Sequence, residues 1–331
     1  MFWLRNARWH SGFQSLLPAV LVILTVAGKD GFNPLLAVLA ALGSVLAHLG
    51  ANLLDDYFDY YCQSAKARQD ILDKGELARG FKCAYITSGQ TTTRMLFAVA
   101  LLTCALALAA GAAIFAIRGV PIVVFAALGA FIMVFYSAPP LRFSFHGLGE
   151  LAIGIIFGPI LMNGVAWSAL GRLDNTVVFL SILIGLLNMD IVYVHSILDM
   201  NPDRLSHKTT LAVLCGNAKA GLVPLAVILL AIFVLPAIWI ATGKLSPVFC
   251  LVFLAIPMAI GLWRSMVQYA WNPKGKVFRK KWMGPMEFWD FFVQNNLDWF
   301  LLRWFIARNL LNTFVFLSAI AVVVARFIPS I

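Results

Sequence analysis

Charged side chains are scarce in this chain. Only 12% of its 331 residues are Asp, Glu, Lys or Arg, about half the proportion of an ordinary water-soluble domain. That excludes a conventional soluble globular protein. Cysteine is sparse as well. Cys62, Cys83, Cys104, Cys215 and Cys250 show neither CxxC nor Cys/His spacing, which argues against a zinc site and a disulfide framework and leaves small apolar packing as their role. No cleavable signal peptide is expected: the first apolar run starts near Phe13, and no small-residue cleavage site with a soluble mature domain follows it. No low-complexity stretch or composition break divides the chain, so residues 1–331 are read as a single domain. What is abundant is apolar surface, with 61% hydrophobic residues, and the solvent this implies is a lipid bilayer. The net charge of +10 would point to nucleic acid in a soluble protein. Here it is read instead as the excess of Lys and Arg that membrane proteins carry in their cytoplasmic loops, so no nucleic-acid partner is expected.

A spanning helix needs roughly 20 mostly apolar residues. Nine candidate spans meet or approach that length, at about 14–28, 34–54, 95–117, 120–137, 149–170, 176–197, 221–242, 246–266 and 304–327. The predicted fold class is therefore all-α, a polytopic membrane bundle. With the N-terminus placed in the cytoplasm, 20 cationic side chains fall in cytoplasmic segments and five (Lys29, Arg118, Arg172, Lys244 and Arg326) on the other side. That imbalance predicts a cytoplasmic N-terminus and a C-terminus on the opposite face. The long loops, 55–94, 198–220 and 267–303, then all lie on the cytoplasmic face.

The chain has only 15 acidic residues, so their placement carries information. Asp55, Asp56 and Asp59 end the second span in the run Asn52-Leu53-Leu54-Asp55-Asp56-Tyr57-Phe58-Asp59. In a helix these four polar residues share one face. Like charges packed this way repel in the absence of a counter-ion, and oxygen-only ligands favour Mg2+, with Mn2+ as its substitute, over zinc. A second pair, Asp199 and Asp203, is spaced i, i+4 at the same-side end of the sixth span. Arg79 and Lys82 in the first long loop, and Arg204 and Lys208 after the second pair, supply cations for phosphate. One Asp at a helix end is ordinarily just solvated, and Asp70, Asp73 and Glu76 are read as loop charges. Two clusters at one membrane depth need another explanation: together with the cations they form the set a diphosphate ester requires. Asp190 and His195, inside or near the end of the sixth span, are cavity candidates because intramembrane ionisable groups are costly. The basic, aromatic segment 272–303 admits three readings: an interfacial amphipathic helix, a lid, or a basic loop near anionic lipid.

The first run resembles the NxxDDxxD motif of the UbiA superfamily of intramembrane prenyltransferases, and Asp199-Met200-Asn201-Pro202-Asp203 its second motif, DxxxD. The stretch from Asp203-Arg204 through Lys208-Thr209 to Gly216 is similar to that family's DRxxGKxTLAVxxG. Arg79-Gly80, Ile86-Thr87, Tyr136 to Arg142 and Gly147 to Glu150 agree as well. The likeness runs from about 50 to 220 and lies nearest the menaquinone-biosynthesis branch. It implies Mg-dependent transfer of a polyprenyl group from an allylic diphosphate to an aromatic acceptor, 1,4-dihydroxy-2-naphthoate, in a prokaryotic cell (inner) membrane. It implies Asp55, Asp56, Asp59, Asp199 and Asp203 as catalytic metal ligands. Asn52, Arg79, Lys82, Tyr136, Arg142, Asp190, His195, Arg204 and Lys208 become the substrate-binding set. The chain departs from the pattern where His195-Ser196-Ile197-Leu198 replaces an Asn-rich, Arg-containing approach to the second motif, and where His207 replaces Gly. Two alternatives stay open on the residues alone. One is a different acceptor, such as another quinone head group, a sugar phosphate, a glycerol ether or a tetrapyrrole. The other is a transporter, although transporter carboxylates lie near the midplane rather than at span ends.

Overall fold

A computed structural model describes residues 1–61, 64–79 and 83–327. Lys82, one of the expected phosphate contacts, lies outside the described residues. Among the described residues, eight helices are long and apolar enough to cross a membrane: α1 (Phe13–Val26, extended by a 3-10 turn from Trp9), α2 (Pro34–Tyr61), α4 (Thr93–Arg118), α6 (Gly149–Leu170), α7 (Asn175–Leu198), α9 (Ala218–Ala241), α10 (Pro247–Trp271) and α12 (Asp298–Ala325). A ninth apolar helix, α5 (Val120–Phe135), is shorter. Short helices α3 (Ser64–Asp73), α8 (Met200–Leu205) and α11 (Trp289–Gln294) lie in the long loops. Each span falls where the apolar runs predicted it. The main differences are at the ends: α2 continues to Tyr61, carrying its whole Asp-rich run as helix, and α12 begins at Asp298, six residues before the predicted 304.

Local chemistry explains the boundaries. Thr92, in extended conformation, accepts the Met95 amide to start α4, and Asp174 accepts the Val177 amide to start α7, each filling an orphan donor of a first turn. Gly119 and Gly171 end α4 and α6 at φ 74° and 77°, a region glycine enters without steric cost. Gly119 then leads into Pro121 near the start of α5, where proline's missing amide costs nothing.

Burial sorts the helices. In α7, 67% of the spanning window is buried, against 11% in α4, so α7 is the axis of the bundle and α4 is a lipid-facing wall. The axis is packed by glycine. On α6, Gly154 and Gly158 stand four apart and meet Gly185 of α7. A Cβ on Gly185 would lie 2.6 Å from the Gly154 carbonyl oxygen, and one on Gly158 would lie 2.7 Å from the Gly185 Cα. Small residues at such spacing let membrane helices approach backbone to backbone. Gly158→Ala is therefore expected to force α6 and α7 apart, at about 3 kcal/mol, the upper range for overpacking. Thermal unfolding in detergent reads this as a lowered melting temperature, and an unchanged value would mean the helices can part freely.

Helices α2 and α7 run in the same direction, so their C-terminal ends, which bear the two Asp motifs, emerge on the same side of the bundle. The segment after α10 folds back against α12. Arg308 donates to Glu287 Oε2 (2.6 Å) and to the Pro285 carbonyl (2.9 Å), and Asn309 donates to the Met283 carbonyl (2.7 Å). Lys274 reaches the Gly75 carbonyl (3.1 Å). This places the basic strap across the Asp-bearing end of the bundle.

Candidate active site

The two motifs meet. Asp55 accepts from Ser137 Oγ (2.6 Å) and has Arg8 3.8 Å away. Asp56, buried, pairs with Arg8 and accepts from the Tyr85 hydroxyl (3.0 Å). Asp59, also buried, faces the Lys208 ammonium at 3.9 Å. On the other motif, Asp199 receives both arms of the Arg68 guanidinium, at 3.1 and 2.9 Å, and pairs with Arg79 and with His195 Nε2 (3.0 Å). Arg68 also lies 4.0 Å from Asp203. Lys208, which follows the second motif, thus reaches the first, while Arg68, which follows the first, reaches the second.

The electrostatics follow from burial and pairing. Burial alone would push the Asp199 carboxyl up. Arg68 and Arg79 outweigh it and hold the group well below the usual carboxylate range. Burial works against the Lys208 ammonium too, but Asp59, Asp203 and Asp55 more than offset it and raise it above the ordinary lysine value. For Arg79 burial prevails, and the guanidinium is lowered despite Asp199. Its carbon stands 4.3 Å from the centre of the Phe300 ring, within cation–π distance.

Two spaces that share Asp55, Arg79, Tyr136, Val192 and His195 in their linings open from this cluster. A small pocket of about 70 Å3 is lined by Asp55, Arg68, Arg79, Tyr136, His195, Asp199, Asp203 and Lys208. A cavity of about 820 Å3 starts at Asp55, Asp56, Arg79, Tyr136 and His195 and runs into the bundle. Small residues of four helices widen it: Gly43 and Ala47 of α2, Ala107 and Gly111 of α4, Gly129 of α5 and Gly164 of α6. Phe292 and Leu297 of the strap segment and Phe300 of α12 close one side. Part of the 272–303 segment, from Phe292 to Leu301, thus contributes to the cavity wall.

Of the expected substrate-binding residues, Asn52, Arg79, Tyr136, His195 and Lys208 line one or both spaces. Asn52 turns to the N-terminal segment, donating to the Ala7 carbonyl (3.0 Å) and Ser11 Oγ (2.9 Å). Three others are not brought to the site. Arg204 is exposed and donates to the Gly216 carbonyl. Arg142 lies over Phe145, 5.4 Å from its ring centre. Asp190 is fully buried but lines neither space, because on α7 the cavity face is Ile191, Val192 and His195. Arg8, Arg68, Tyr85 and Ser137 went unrecognised in the sequence. Only Arg68 carried a signal, as a cation within ten residues of the first motif.

The donor set fits a magnesium-type ion. All the carboxylates are hard oxygen donors. Among the described residues no three Asp, Glu, His or Cys side chains are grouped to hold a metal by themselves. Hard oxygen donors of this kind suit an ion held by one or two carboxylates and completed by substrate phosphate oxygens. The acidic groups of both motifs also face Arg8, Arg68, Arg79 and Lys208 in near balance, so a multiply charged anion entering the pocket would need added positive charge.

Residues 15–291 match the UbiA prenyltransferase family. The 1,4-dihydroxy-2-naphthoate octaprenyltransferase of Escherichia coli (strain K12) is 26% identical over 204 residues, covering 61% of this chain and 65% of that protein. The protein of the same name from Bacillus subtilis (strain 168) is 27% identical over 239 residues, covering 71% and 72%. The chain thus spans just under two thirds of the first of these relatives. Among solved structures, a UbiA homolog from Archaeoglobus fulgidus bound to GPP and Mg2+ aligns over 98% of this chain and 97% of its own, with a TM-score of 0.59 and 14% identity. A digeranylgeranylglyceryl phosphate synthase aligns over 97% of both chains, with the same score and identity. Likeness at that identity establishes the shared fold.

Proposed function

Because the chain belongs to the UbiA prenyltransferase family, we propose that it transfers a polyprenyl group from an allylic polyprenyl diphosphate to 1,4-dihydroxy-2-naphthoate in menaquinone biosynthesis, with Mg2+ as the metal. The observation that carries the reaction class is the convergence of both Asp-bearing helix ends, with Arg68, Arg79 and Lys208, at the mouth of an apolar cavity. The choice of acceptor rests on the similarity to dihydroxynaphthoate octaprenyltransferases. Location in a prokaryotic cell membrane rests on the likeness to bacterial relatives, and the placing of this end of the bundle in the cytoplasm rests on the distribution of Lys and Arg. One domain carries the whole reaction.

Each part of the site has a task in that reaction. Asp55, Asp56 and Asp59 on one side and Asp199 and Asp203 on the other would hold the metal; when bound, it supplies positive charge to the diphosphate. Arg79 and Lys208 face the same pocket and stabilise charge on the leaving diphosphate as the C1–O bond breaks, with both electrons going to oxygen. Arg68 keeps Asp199 in place. The small-residue cavity takes the prenyl tail, and its apolar walls keep water from the allylic cation. The aromatic faces near the mouth, Phe300 and Tyr136, border the space where C1 lies. The ring carbon that bears the carboxylate supplies the electron pair for the new C–C bond, and the carboxylate then leaves from that carbon as carbon dioxide, its bonding pair returning to the ring to restore aromaticity.

The test is a transfer assay on detergent-solubilised protein with radiolabelled farnesyl or geranylgeranyl diphosphate, Mg2+ and a panel of aromatic acceptors. The expected result is a labelled prenyl naphthoate that disappears with EDTA and returns when Mg2+ is restored. Diphosphate release with no labelled aromatic product would overturn the acceptor. No diphosphate release from any allylic donor by folded protein would overturn the reaction class.

A further inference from the structure

His48 lies on α2 one turn, about 6 Å, before Asn52, and it lines the large cavity. Its Nδ1 is 3.2 Å from Ser15 Oγ and its Nε2 is 3.4 Å from Ser11 Oγ. A hydroxyl has a single proton to donate. Ser15 donates its proton to the Gly12 carbonyl (2.9 Å) and Ser11 to the Arg8 carbonyl (2.8 Å). Ser11 Oγ also accepts from Asn52 Nδ2 (2.9 Å). Both serines therefore turn lone pairs toward the imidazole. A neutral imidazole has one N–H and satisfies only one of them. The shorter contact is with Ser15, which is fully buried behind the ring, so the proton belongs on Nδ1. The lone pair of Nε2 is left without a donor on the Ser11 side, and Ser11 lines the cavity where Ser15 does not. Phe157 meets the ring edge to face, with centroids 4.7 Å apart and planes at 74°, which holds its orientation.

We propose that His48 Nε2 accepts a hydrogen bond from a ring hydroxyl of the aromatic acceptor, which makes His48 a specificity-determining residue for hydroxylated rings. The inference rests on the prenyl-transfer reading above. A hydroxyl brought into this largely apolar space without a partner would pay for lost hydration, and Nε2 supplies that partner one turn from the motif-bearing end of α2. A phenolic hydroxyl that donates to nitrogen also releases electron density into its ring, which favours attack by a ring carbon. Because Asn52 holds Ser11, and Ser11 borders the imidazole, the motif asparagine and His48 form one connected polar wall.

The experiment measures equilibrium binding of 1,4-dihydroxy-2-naphthoate and of its dimethyl ether to the purified full chain, without allylic diphosphate. The wild type is expected to prefer the dihydroxy compound by roughly tenfold, the upper range for one neutral hydrogen bond. His48→Leu should bind the dihydroxy compound about tenfold more weakly and lose the preference. His48→Gln, whose carbonyl oxygen also accepts, should stay within roughly threefold of wild type on the same scale. In the transfer assay the acceptor KM should rise in His48→Leu while the KM for the allylic diphosphate stays within about twofold, a split that a merely distorted bundle would not produce. Unchanged acceptor binding in His48→Leu, or an equal weakening of donor and acceptor, would overturn the proposal. Naphthoate binding that depends on His48 in a protein that transfers nothing would overturn the reaction reading and leave this proposal standing.

Discussion

Asp199→Ala is expected to lower the rate of prenyl transfer on the order of 100- to 1,000-fold, the scale seen when one preorganised charge contact is removed from an active site. The same change should destabilise the protein. Asp199 is buried and takes both arms of Arg68, which is itself only 3% exposed. Removing the carboxylate strands a buried guanidinium, and breaking a buried pair from one side costs about 3–5 kcal/mol. The two effects separate in a double variant. Adding Arg68→Met should restore much of the melting temperature and none of the activity. Labelled transfer and thermal unfolding in detergent read both quantities on one preparation. An Asp199→Ala protein with wild-type transfer would remove the second motif from the site altogether.

Arg79→Ala is the second large effect, with an expected loss in kcat on the order of 100-fold. Arg79 lies over Phe300, pairs with Asp199 and lines both the small pocket and the long cavity. It stands where the diphosphate and the prenyl C1 would meet. Arg79→Lys keeps the charge but loses the planar fork and the stacking surface, so it should recover only part of the rate. Initial rates at saturating donor distinguish these variants. Equal activity in the Arg, Lys and Ala proteins would show that the guanidinium belongs to the fold and has no part in the reaction. Full activity in Lys with loss in Ala would show that charge alone matters there.

The parts of the site legible in the sequence were those built by local periodicity. Asn52, Asp55, Asp56 and Asp59 stand on one face because a helix repeats every 3.6 residues, and the structure carries that helix through the whole run. Asp199 and Asp203 share a side with them because an even number of crossings separates the two helix ends. The cations were harder to place. Arg204 directly follows Asp203, yet it turns outward to the Gly216 carbonyl, while Lys208, four residues later, reaches Asp59 on the other motif. Asp190 lies on the helix that carries His195, but five residues in a helix amount to about 500° of rotation, which takes it off the cavity face. Sequence separation along α7 was visible; which neighbouring helix covered each face was not.

Composition and apolar periodicity determined on their own that the chain is a membrane helical bundle, roughly where each crossing helix lies, and that two carboxylate clusters terminate two of the crossings. Those are local properties: backbone hydrogen bonds must be satisfied within each helix in lipid, and 20 apolar residues suffice to cross. Only the tertiary structure decided that Arg8, 48 residues away from Asp56, pairs with it, that Arg68 grips Asp199, and that small residues of α2, α4, α5 and α6 leave a cavity between them. These contacts depend on how helices pack at close range, which glycines such as Gly158 and Gly185 set through backbone approach, and no short window of sequence contains both partners.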